Sequence, residues 1–372
     1  MTAGDHRTDA SRPLFYIVDW LPPDFGAVGQ YALIAAQKLA TTGREVHLIG
    51  LTRGPASQET APCGAGSLSI QRLHTRSYEK TKFARRLFWT LWTDLRLTWA
   101  VLRARRSHGA DVQFTGSPPF MLYFAFALKF LRRARLIYRI TDFYPEAIIA
   151  HLGRKPLLLG WLERATWFLR RRVDRFEVLG QDQRDLLGRG GIPDDRITVA
   201  RDSAPVTITG DEQPAPTPAG LSGRKILLYS GNYGVAHDVE TVVGGLLEHH
   251  RTGNGRFGLW LNATGRNADL VEQRLKALNV PVARTAPVPL AELPALLAAA
   301  DAHLIALRTE FSGIVLPSKV YGCIQSKRPI LFVGPTSSDV HLLCTQAGIR
   351  YAQVTPGDRA GFARALEELV AD

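Results

Sequence analysis

The fold is decided by residues 14–50, which read LFYIVDWLPPDFGAVGQYALIAAQKLATTGREVHLIG. Residues 14–19 predict a buried strand, a loop rich in glycine and proline follows, and residues 27–40 predict a helix before a second strand at residues 45–50. This strand, helix and strand order is typical of a parallel sheet with crossover helices. Residues 112–115, 135–140 and 176–179 predict further short strands of the same kind.

The same alternation restarts at residue 225, after a proline-rich segment without periodic apolar residues. Strands are predicted at residues 225–229, 257–262, 302–307 and 330–333. We therefore predict an α/β protein with two doubly wound, Rossmann-like domains and a cleft between them. The predicted bounds are residues 14–205 for the first domain, 206–222 for a linker and 223–372 for the second domain. Sheets of this kind bind ligands at the carboxyl ends of their strands.

The excess positive charge of the chain lies in its first half. The 372 residues carry a net charge of +12. Residues 1–200 contain 30 Lys and Arg against 18 Asp and Glu, whereas the rest contains 16 of each. This asymmetry predicts that the first domain meets a polyanion, either nucleic acid or an anionic membrane surface. Nucleic acid is disfavoured because the sequence has no RNP motif, zinc finger or basic aromatic groove.

Cysteine usage and hydropathy favour a cytoplasmic protein. The three cysteines form no CxxC pair, which predicts neither a disulfide framework nor a zinc site. The N-terminal residues lack the apolar region of a signal peptide, and the longest apolar stretch, residues 118–128, is too short to span a membrane.

Residues 80–106 predict a helix with an apolar, aromatic stripe between clusters of arginine. Aromatic side chains with basic flanks suit a membrane interface, and a helix buried in the core is the alternative because several apolar residues fall off the stripe. The stripe consists of Phe88, Leu91, Trp92, Leu95, Trp99 and Leu102. The predicted membrane contacts are Arg85, Arg86, Trp89, Trp92, Trp99, Arg103, Arg105 and Arg106.

In each domain, a loop that contains glycine follows the first strand. The first loop contains Gly26 and Gly29, and the second contains Gly231, Asn232 and Gly234. Glycine lets a bound group approach the backbone, and a helix that begins there favours an anion, although each loop alone is more often only a tight turn. Neither has the GxGxxG spacing of a dinucleotide site, so an NAD enzyme is disfavoured.

A third loop follows the strand predicted at residues 302–307. It contains Glu310, then a turn at Ser312 and Gly313, and then Ser318 and Lys319 at the start of a helix. A helix N-terminus with a hydroxyl and a lysine suits a diphosphate, and a nearby carboxylate can accept hydrogen bonds from sugar hydroxyls. The alternative is a surface glutamate and a solvated lysine.

Five motifs occur in order: PPDFGAVGQY (residues 22–31), TGSPP (115–119), TDFYPE (141–146), YSGNYGVAHD (229–238) and SGIVLPSKVYGCIQSKRPILFVGP (312–335). With these motifs the chain resembles the retaining glycosyltransferases of family 4, which have the GT-B fold. Within them it is most similar to the subgroup that acts on lipid-linked or polysaccharide precursors of the bacterial cell envelope. The resemblance covers nearly the whole chain.

The resemblance implies a nucleotide-diphosphate sugar held by the second domain and an acceptor that enters over the first. Glu310 matches the first of two glutamates that hold the donor in this family, and Ser318 occupies the position of the second. Asp142 and Glu146 are acceptor-side candidates, with helix capping as their alternative role. The full set of predicted catalytic residues is Glu310, Asp142 and Glu146. The predicted donor-binding residues are Gly26, Gly29, Gly231, Asn232, Gly234, Arg266, Ser312, Gly313, Ser318 and Lys319.

The expected reaction is sugar transfer with retention to a lipid-linked or envelope glycan acceptor, on the inner face of the cell membrane. We expect no cofactor and no metal ion, because the sequence has no DxD-like motif and the fold usually works without one. The expected partners are a nucleotide sugar, the acceptor and an anionic membrane surface, and not nucleic acid. The alternatives are a GT-B protein that has lost activity and serves as an assembly partner, or a GT-B sugar-nucleotide epimerase.

Overall fold

The computed structural model describes residues 12–24, 27–76, 83–252 and 255–369. The chain divides into two compact units. The first unit comprises residues 1–146, 155–179 and 186–200, and the second comprises residues 147–154, 180–185 and 201–372. The chain therefore joins the second unit at residue 201, and two short earlier segments also belong to it.

An eight-stranded sheet forms the centre of the first unit. Residues 12–200 form β1 (Leu14–Trp20), α1 (Ala27–Thr41), β2 (Glu45–Thr52), β3 (Ser57–Cys63), β4 (Gly66–His74), α2 (Phe83–Arg103), β5 (Asp111–Thr115), α3 (Met121–Leu131), β6 (Arg135–Ile140), α4 (Glu146–Leu152), α5 (Leu157–Arg170), β7 (Arg175–Val178), α6 (Gln181–Arg189), a 3₁₀ turn (Asp194–Arg196) and β8 (Ile197–Val199). The strand order is β3-β4-β2-β1-β5-β6-β7-β8. All neighbours in it are parallel except β3 and β4.

The residues that form this sheet follow the expected pattern. The five residues from Leu14 to Val18 are buried in succession, as a strand covered on both faces requires. Ala32, Ala36 and Ala40 of α1 recur every four residues, so one face of the helix packs small side chains against β1 and β2. The hairpin of β3 and β4 was not predicted. Its edge strand, SQETAPC, is polar and exposed along most of its length.

A six-stranded sheet forms the centre of the second unit. Residues 201–369 form β9 (Lys225–Asn232), α7 (Glu240–Thr252), β10 (Phe257–Thr264), α8 (Arg266–Ala277), β11 (Val282–Thr285), α9 (Leu293–Ala298), β12 (Ala302–Ala306), α10 (Lys319–Gln325), β13 (Ile330–Val333), α11 (Asp339–Gln346), β14 (Tyr351–Val354) and α12 (Arg359–Leu369), with 3₁₀ turns at Ala219–Leu221, Leu290–Glu292 and Thr309–Phe311. The strand order is β11-β10-β9-β12-β13-β14, and every pair is parallel. The predicted α/β class with two Rossmann-like sheets is confirmed.

The segment predicted as a linker packs against the second unit. Ile208 and Ala215 lie against its apolar core, and the Ala215 amide donates to the Ala295 carbonyl at 2.9 Å. Within the described ranges, no helix is both long enough and apolar enough to cross a membrane.

Candidate functional site

In each sheet the chain order reverses between two adjacent strands, and the loops that leave these strands are where α/β proteins bind ligands. In the second unit these strands are β9 and β12. Backbone hydrogen bonds join the loops after β9, β10 and β12. The Tyr233 amide donates to the Thr264 carbonyl at 2.7 Å, and the Arg308 amide donates to the Ala236 carbonyl at 2.8 Å. Two of the three predicted loops, those after β9 and β12, therefore lie at one edge of this sheet together with the loop after β10, where Arg266 begins α8.

Lys319 is the distinctive side chain of this edge. Its Nζ lies 3.2 Å from the centre of the Tyr229 ring, so the aromatic face, rather than a carboxylate, faces the ammonium. The Nζ is inaccessible to solvent and has no hydrogen-bond partner in the described part of the chain. Burial lowers the pKa of Lys319 to about 7. A buried cation with unused donors is what a diphosphate would satisfy.

His237 holds the loop after β9 against the end of β12. Its Nδ1 lies 2.6 Å from the Ala306 carbonyl oxygen. Because a carbonyl only accepts, Nδ1 carries the proton. Burial is the main cause that lowers the pKa of His237 to about 3, and nearby Lys319 adds to the effect, so the ring is neutral. His237 was not among the predicted site residues, although it lies within the motif YSGNYGVAHD.

Glu310 lies in the 3₁₀ turn after β12 and is exposed. Its Oε2 is 3.5 Å from Nε of Arg308, whose guanidinium lies over the Phe311 ring at 5.5 Å from the ring centre. The exposed carboxylate is therefore accessible to a polar ligand. Arg308 is a second cation of this edge that sequence analysis missed, although it stands two residues before Glu310.

The remaining predicted donor residues of the second unit lie on the same loops. Gly231 has φ +109°, a conformation that side chains other than glycine rarely adopt. Arg266 is the exposed first residue of α8. The Ser312 hydroxyl lies 3.1 Å from that of Ser337, in the loop after β13. Asn232 is exposed beside Gly234, Gly313 has φ +72°, and Ser318 immediately precedes α10.

In the first unit the chain order reverses between β1 and β5. Asp19, near the end of β1, accepts a hydrogen bond from the Ser117 hydroxyl at 2.5 Å, and Ser117 follows β5. The other carboxylate oxygen of Asp19, Oδ1, is inaccessible to solvent and has no partner among the described residues. Burial raises the pKa of Asp19. Asp19 was not among the predicted site residues, and an aspartate at a strand end is also a common turn residue.

Asp142 lies on the neighbouring loop, after β6. A side chain at Gly116 would come within 3.0 Å of the Asp142 carbonyl oxygen, so the loops after β5 and β6 are in close contact. Burial raises the pKa of Asp142 to about 6. A carboxyl that titrates near neutral pH is suited to hold or accept the proton of a hydroxyl.

Glu146 is engaged in the fold. Both of its carboxylate oxygens accept hydrogen bonds from the guanidinium of Arg170, which is fully buried and also donates to the Tyr144 carbonyl at 2.9 Å. The rings of Phe143 and Trp167 lie on the same guanidinium. This pair anchors α5 to the loop after β6. Glu146 therefore has a positioning role in the fold, and Asp142 remains the acceptor-side candidate.

The predicted loop after β1 needs one correction. A side chain at Gly29 would come within 1.8 Å of the Trp20 carbonyl oxygen, so the space that this glycine leaves is filled by the protein's own backbone and not by a ligand. Gly26 lies outside the described residues. The donor-binding role predicted for Gly29 is thus replaced by close packing of α1 against the end of β1.

The predicted membrane residues divide into two groups. Trp92 and Trp99 are exposed on α2, and Arg103 lies over the Trp99 ring at 5.1 Å from its centre. Trp89 instead packs inward, because its ring stacks on Trp20 and its Nε1 donates to Thr75 and to the Arg76 carbonyl. Arg106 pairs with Glu45. Arg85 and Arg105 are exposed, and the Arg86 side chain lies outside the described residues.

In the ranges that the structure describes, no group of three or more His, Cys, Asp or Glu side chains is placed to hold a metal ion.

The chain is similar in sequence to known glycosyltransferases. Residues 26–201 match the family model for a glycosyl transferase 4-like domain. The chain is 24% identical, over 278 residues, to the probable glycosyltransferase WbjE of Pseudomonas aeruginosa, a match that covers 72% of this chain and 67% of that protein.

Solved structures share the fold at low sequence identity. An α,α-trehalose-phosphate synthase (UDP-forming) from Burkholderia vietnamiensis superimposes with a TM-score of 0.65 at 12% identity, covering 96% of this chain and 92% of the other. HepE from Anabaena, in complex with UDP and glucose, gives a TM-score of 0.64 at 10% identity, covering 97% and 90%. The predicted GT-B fold is confirmed, and together the comparisons support a glycosyltransferase.

Proposed function

We propose that this protein transfers a sugar from a nucleotide-diphosphate sugar, with retention, to a lipid-linked or cell-envelope glycan acceptor. The observation that carries the proposal is Lys319: a solvent-inaccessible ammonium without a hydrogen-bond partner among the described residues, at the point where the β9 and β12 loops meet. The comparisons support the transferase class, and HepE, which shares the fold, binds UDP and glucose.

The second unit would hold the donor. Lys319 gives its donors to the diphosphate, and the backbone around Gly231 allows the phosphate oxygens to approach. Arg308 and Arg266 supply further positive charge at the same edge. Glu310, with its carboxylate exposed, accepts hydrogen bonds from hydroxyls of the transferred sugar. Bond cleavage places negative charge on the departing diphosphate, which this preorganised group of cations stabilises.

The first unit would hold the acceptor. Asp142 lies on the loop that leaves β6, and Asp19 lies near the end of β1. The loop after β5 contacts both. Their carboxyl groups orient the attacking hydroxyl of the acceptor. In the retaining reaction the departing diphosphate takes the proton of that hydroxyl on the face where the new bond forms. The protein then needs to position and stabilise the reactants, and no side chain has to act as the base.

A lipid-linked acceptor is supported by the surface of α2. Exposed aromatic residues form its outer stripe, and Arg85, Arg103 and Arg105 lie at its ends. Each arginine near an anionic membrane contributes about 1 kcal/mol of attraction, so a few suffice for reversible docking. We propose that the protein works at the cytoplasmic surface of the membrane, where nucleotide sugars and a lipid-linked acceptor meet.

Binding of UDP and GDP tests the donor site. One of the two nucleotides is expected to raise the unfolding temperature of the protein by several degrees at concentrations far above its Kd. Lys319→Met is expected to remove this increase. Lys276→Met, which removes an exposed lysine of α8 paired with Glu272, is the matched control and should leave it unchanged. An assembly partner without activity would show no increase with either nucleotide, and that result would overturn the proposal.

A further inference from the structure

Two helices of the first unit carry apolar side chains outward and polar side chains inward. This is the reverse of the usual pattern of a helix that covers a water-soluble domain. On α2 the exposed side includes Phe88, which is 71% exposed, and Trp92 and Trp99, each 51% exposed. The buried side of the same helix carries Thr90, Thr93, Asp94 and Thr98 together with Leu97 and Val101.

The second helix with this reversed pattern is α5. Its exposed apolar side chains are Leu157 (87%), Leu158 (79%), Trp161 (67%) and Phe168 (53%). The residues of α5 that are buried are Thr166 and Arg170. No exposed apolar face was predicted for this segment from the sequence. Large side chains exposed at these fractions need a partner, because soluble proteins rarely expose contiguous apolar patches.

The two helices belong to one layer. α2 contacts α3, and α3 contacts both α5 and the strands β5 and β6 beneath it. At the C-terminal end of α3, Phe130 and Leu131 are 72% and 63% exposed. We call the exposed apolar residues of α2, α3 and α5 the helical platform. Its members share one face of the sheet, so they form one surface.

The charges on the platform identify its partner. Arg164 lies over the Trp161 ring at 5.6 Å from the ring centre, and Arg172 lies over the Phe168 ring at 3.5 Å. Glu163, the acidic residue of α5, is paired with Lys155. An anionic lipid surface favours this arrangement, because the aromatic ring can lie at the edge of the acyl chains while the guanidinium lies among the phosphates.

We propose that the helical platform is a membrane-inserting surface in which α5 is a second docking helix beside α2, with Leu157, Leu158, Trp161 and Phe168 among the acyl chains of an anionic bilayer. This inference rests on the proposed function, because it specifies how the enzyme reaches a lipid-linked acceptor. The buried Arg170 ties α5 to Glu146 and Tyr144, in the loop that contains Asp142. Membrane insertion of α5 therefore holds the acceptor loop close to the lipid surface.

An environment-sensitive probe at the platform tests insertion. Leu158→Cys in a Cys63→Ser background is labelled with nitrobenzoxadiazole, since the other two cysteines are buried. With vesicles of phosphatidylglycerol and phosphatidylethanolamine, we expect a blue shift and quenching by lipids brominated in their acyl chains. The matched control, Leu278→Cys immediately after α8, should show neither. An unquenched probe at residue 158 overturns the proposal, as does a blue shift that depends on protein concentration without vesicles, which indicates a second copy of the chain.

Truncation of the platform provides the second measurement. Trp161→Ala with Phe168→Ala is expected to weaken partitioning into the same vesicles at least about tenfold, since two aromatic side chains no longer enter the bilayer. Leu270→Ala with Leu278→Ala, on an exposed face of the second unit, should partition like the unaltered protein. Equal partitioning of both double variants contradicts the proposal. Thermal stabilisation by UDP or GDP should persist in the platform variant, so failure of the donor site and failure of the platform are distinguishable.

Discussion

Replacement of Lys319 by methionine is expected to stabilise the free protein while removing its donor binding. Burial lowers the pKa of Lys319 to about 7, against an ordinary value of 10.5. Below about pH 7 both the folded and the unfolded chain hold the proton, and the folded chain bears the full cost of the buried charge. As pH rises toward the unfolded value, the unfolded chain loses its proton as well and the cost disappears.

The size of this effect follows from the two pKa values. Each pH unit between them corresponds to about 1.4 kcal/mol, so Lys319 costs roughly 4 kcal/mol of unfolding free energy near pH 7 and about half of that near pH 9. Methionine has a similar length and no charge, and it should recover most of this free energy. A diphosphate that pairs with the ammonium raises the pKa of Lys319 again, so above about pH 7.5 binding requires the lysine to take up a proton. UDP affinity should therefore fall nearly tenfold per pH unit in that range.

Urea unfolding of wild type and Lys319→Met near pH 7 and near pH 9 measures the first effect. Calorimetric titration with UDP in two buffers of different ionisation enthalpy measures the proton taken up on binding. A variant that is no more stable than wild type near pH 7 would refute the assignment of a buried, unpaired ammonium. UDP binding without proton uptake would refute its role in holding the diphosphate.

Three further predictions concern carboxyl groups. Glu310→Gln is expected to lower transfer about a hundredfold while the thermal shift with UDP or GDP stays, because we propose that Glu310 contacts the sugar and not the nucleotide. Asp19→Asn should raise the KM for the acceptor about tenfold without changing nucleotide affinity, and kinetics with varied acceptor concentration check this. Burial raises the pKa of Asp94 to about 8, so the folded protein must keep a proton that the unfolded chain loses above about pH 4. Asp94→Asn should therefore raise the unfolding temperature near pH 8 and not near pH 4. An equal change in unfolding temperature at both pH values would contradict burial of the Asp94 carboxyl.

The sheets were predictable because their strands are short, apolar and bounded by glycine and proline. The buried run from Leu14 to Val18 and the restart at Lys225 predict two sheets whose strands are mainly parallel. The β3 and β4 hairpin was not predictable in the same way. The polar edge strand β3 has no buried face, so its sequence shows no alternation of apolar and polar residues.

The sequence predicted which loops form the candidate site, but not which of their residues contact each other. Sequence spacing placed Glu310 and Lys319 on one loop. That Lys319 lies over Tyr229 and that His237 joins β9 to β12 depends on contacts between residues distant in the chain. At Gly29 the sequence suggested space for a ligand, but the Trp20 carbonyl occupies the space that a side chain would fill. The exposed face of α5 was missed because apolar periodicity identifies a stripe without stating which side faces the core.

The central claim is tested most directly by sugar transfer. Purified protein is incubated with each of a panel of UDP- and GDP-sugars, with and without a lipid extract of bacterial membranes as the acceptor, and release of the nucleotide diphosphate is measured. We predict that one donor gives release that depends on the extract, and that Lys319→Met abolishes it. Release from every donor no greater than that of Lys319→Met would contradict the account.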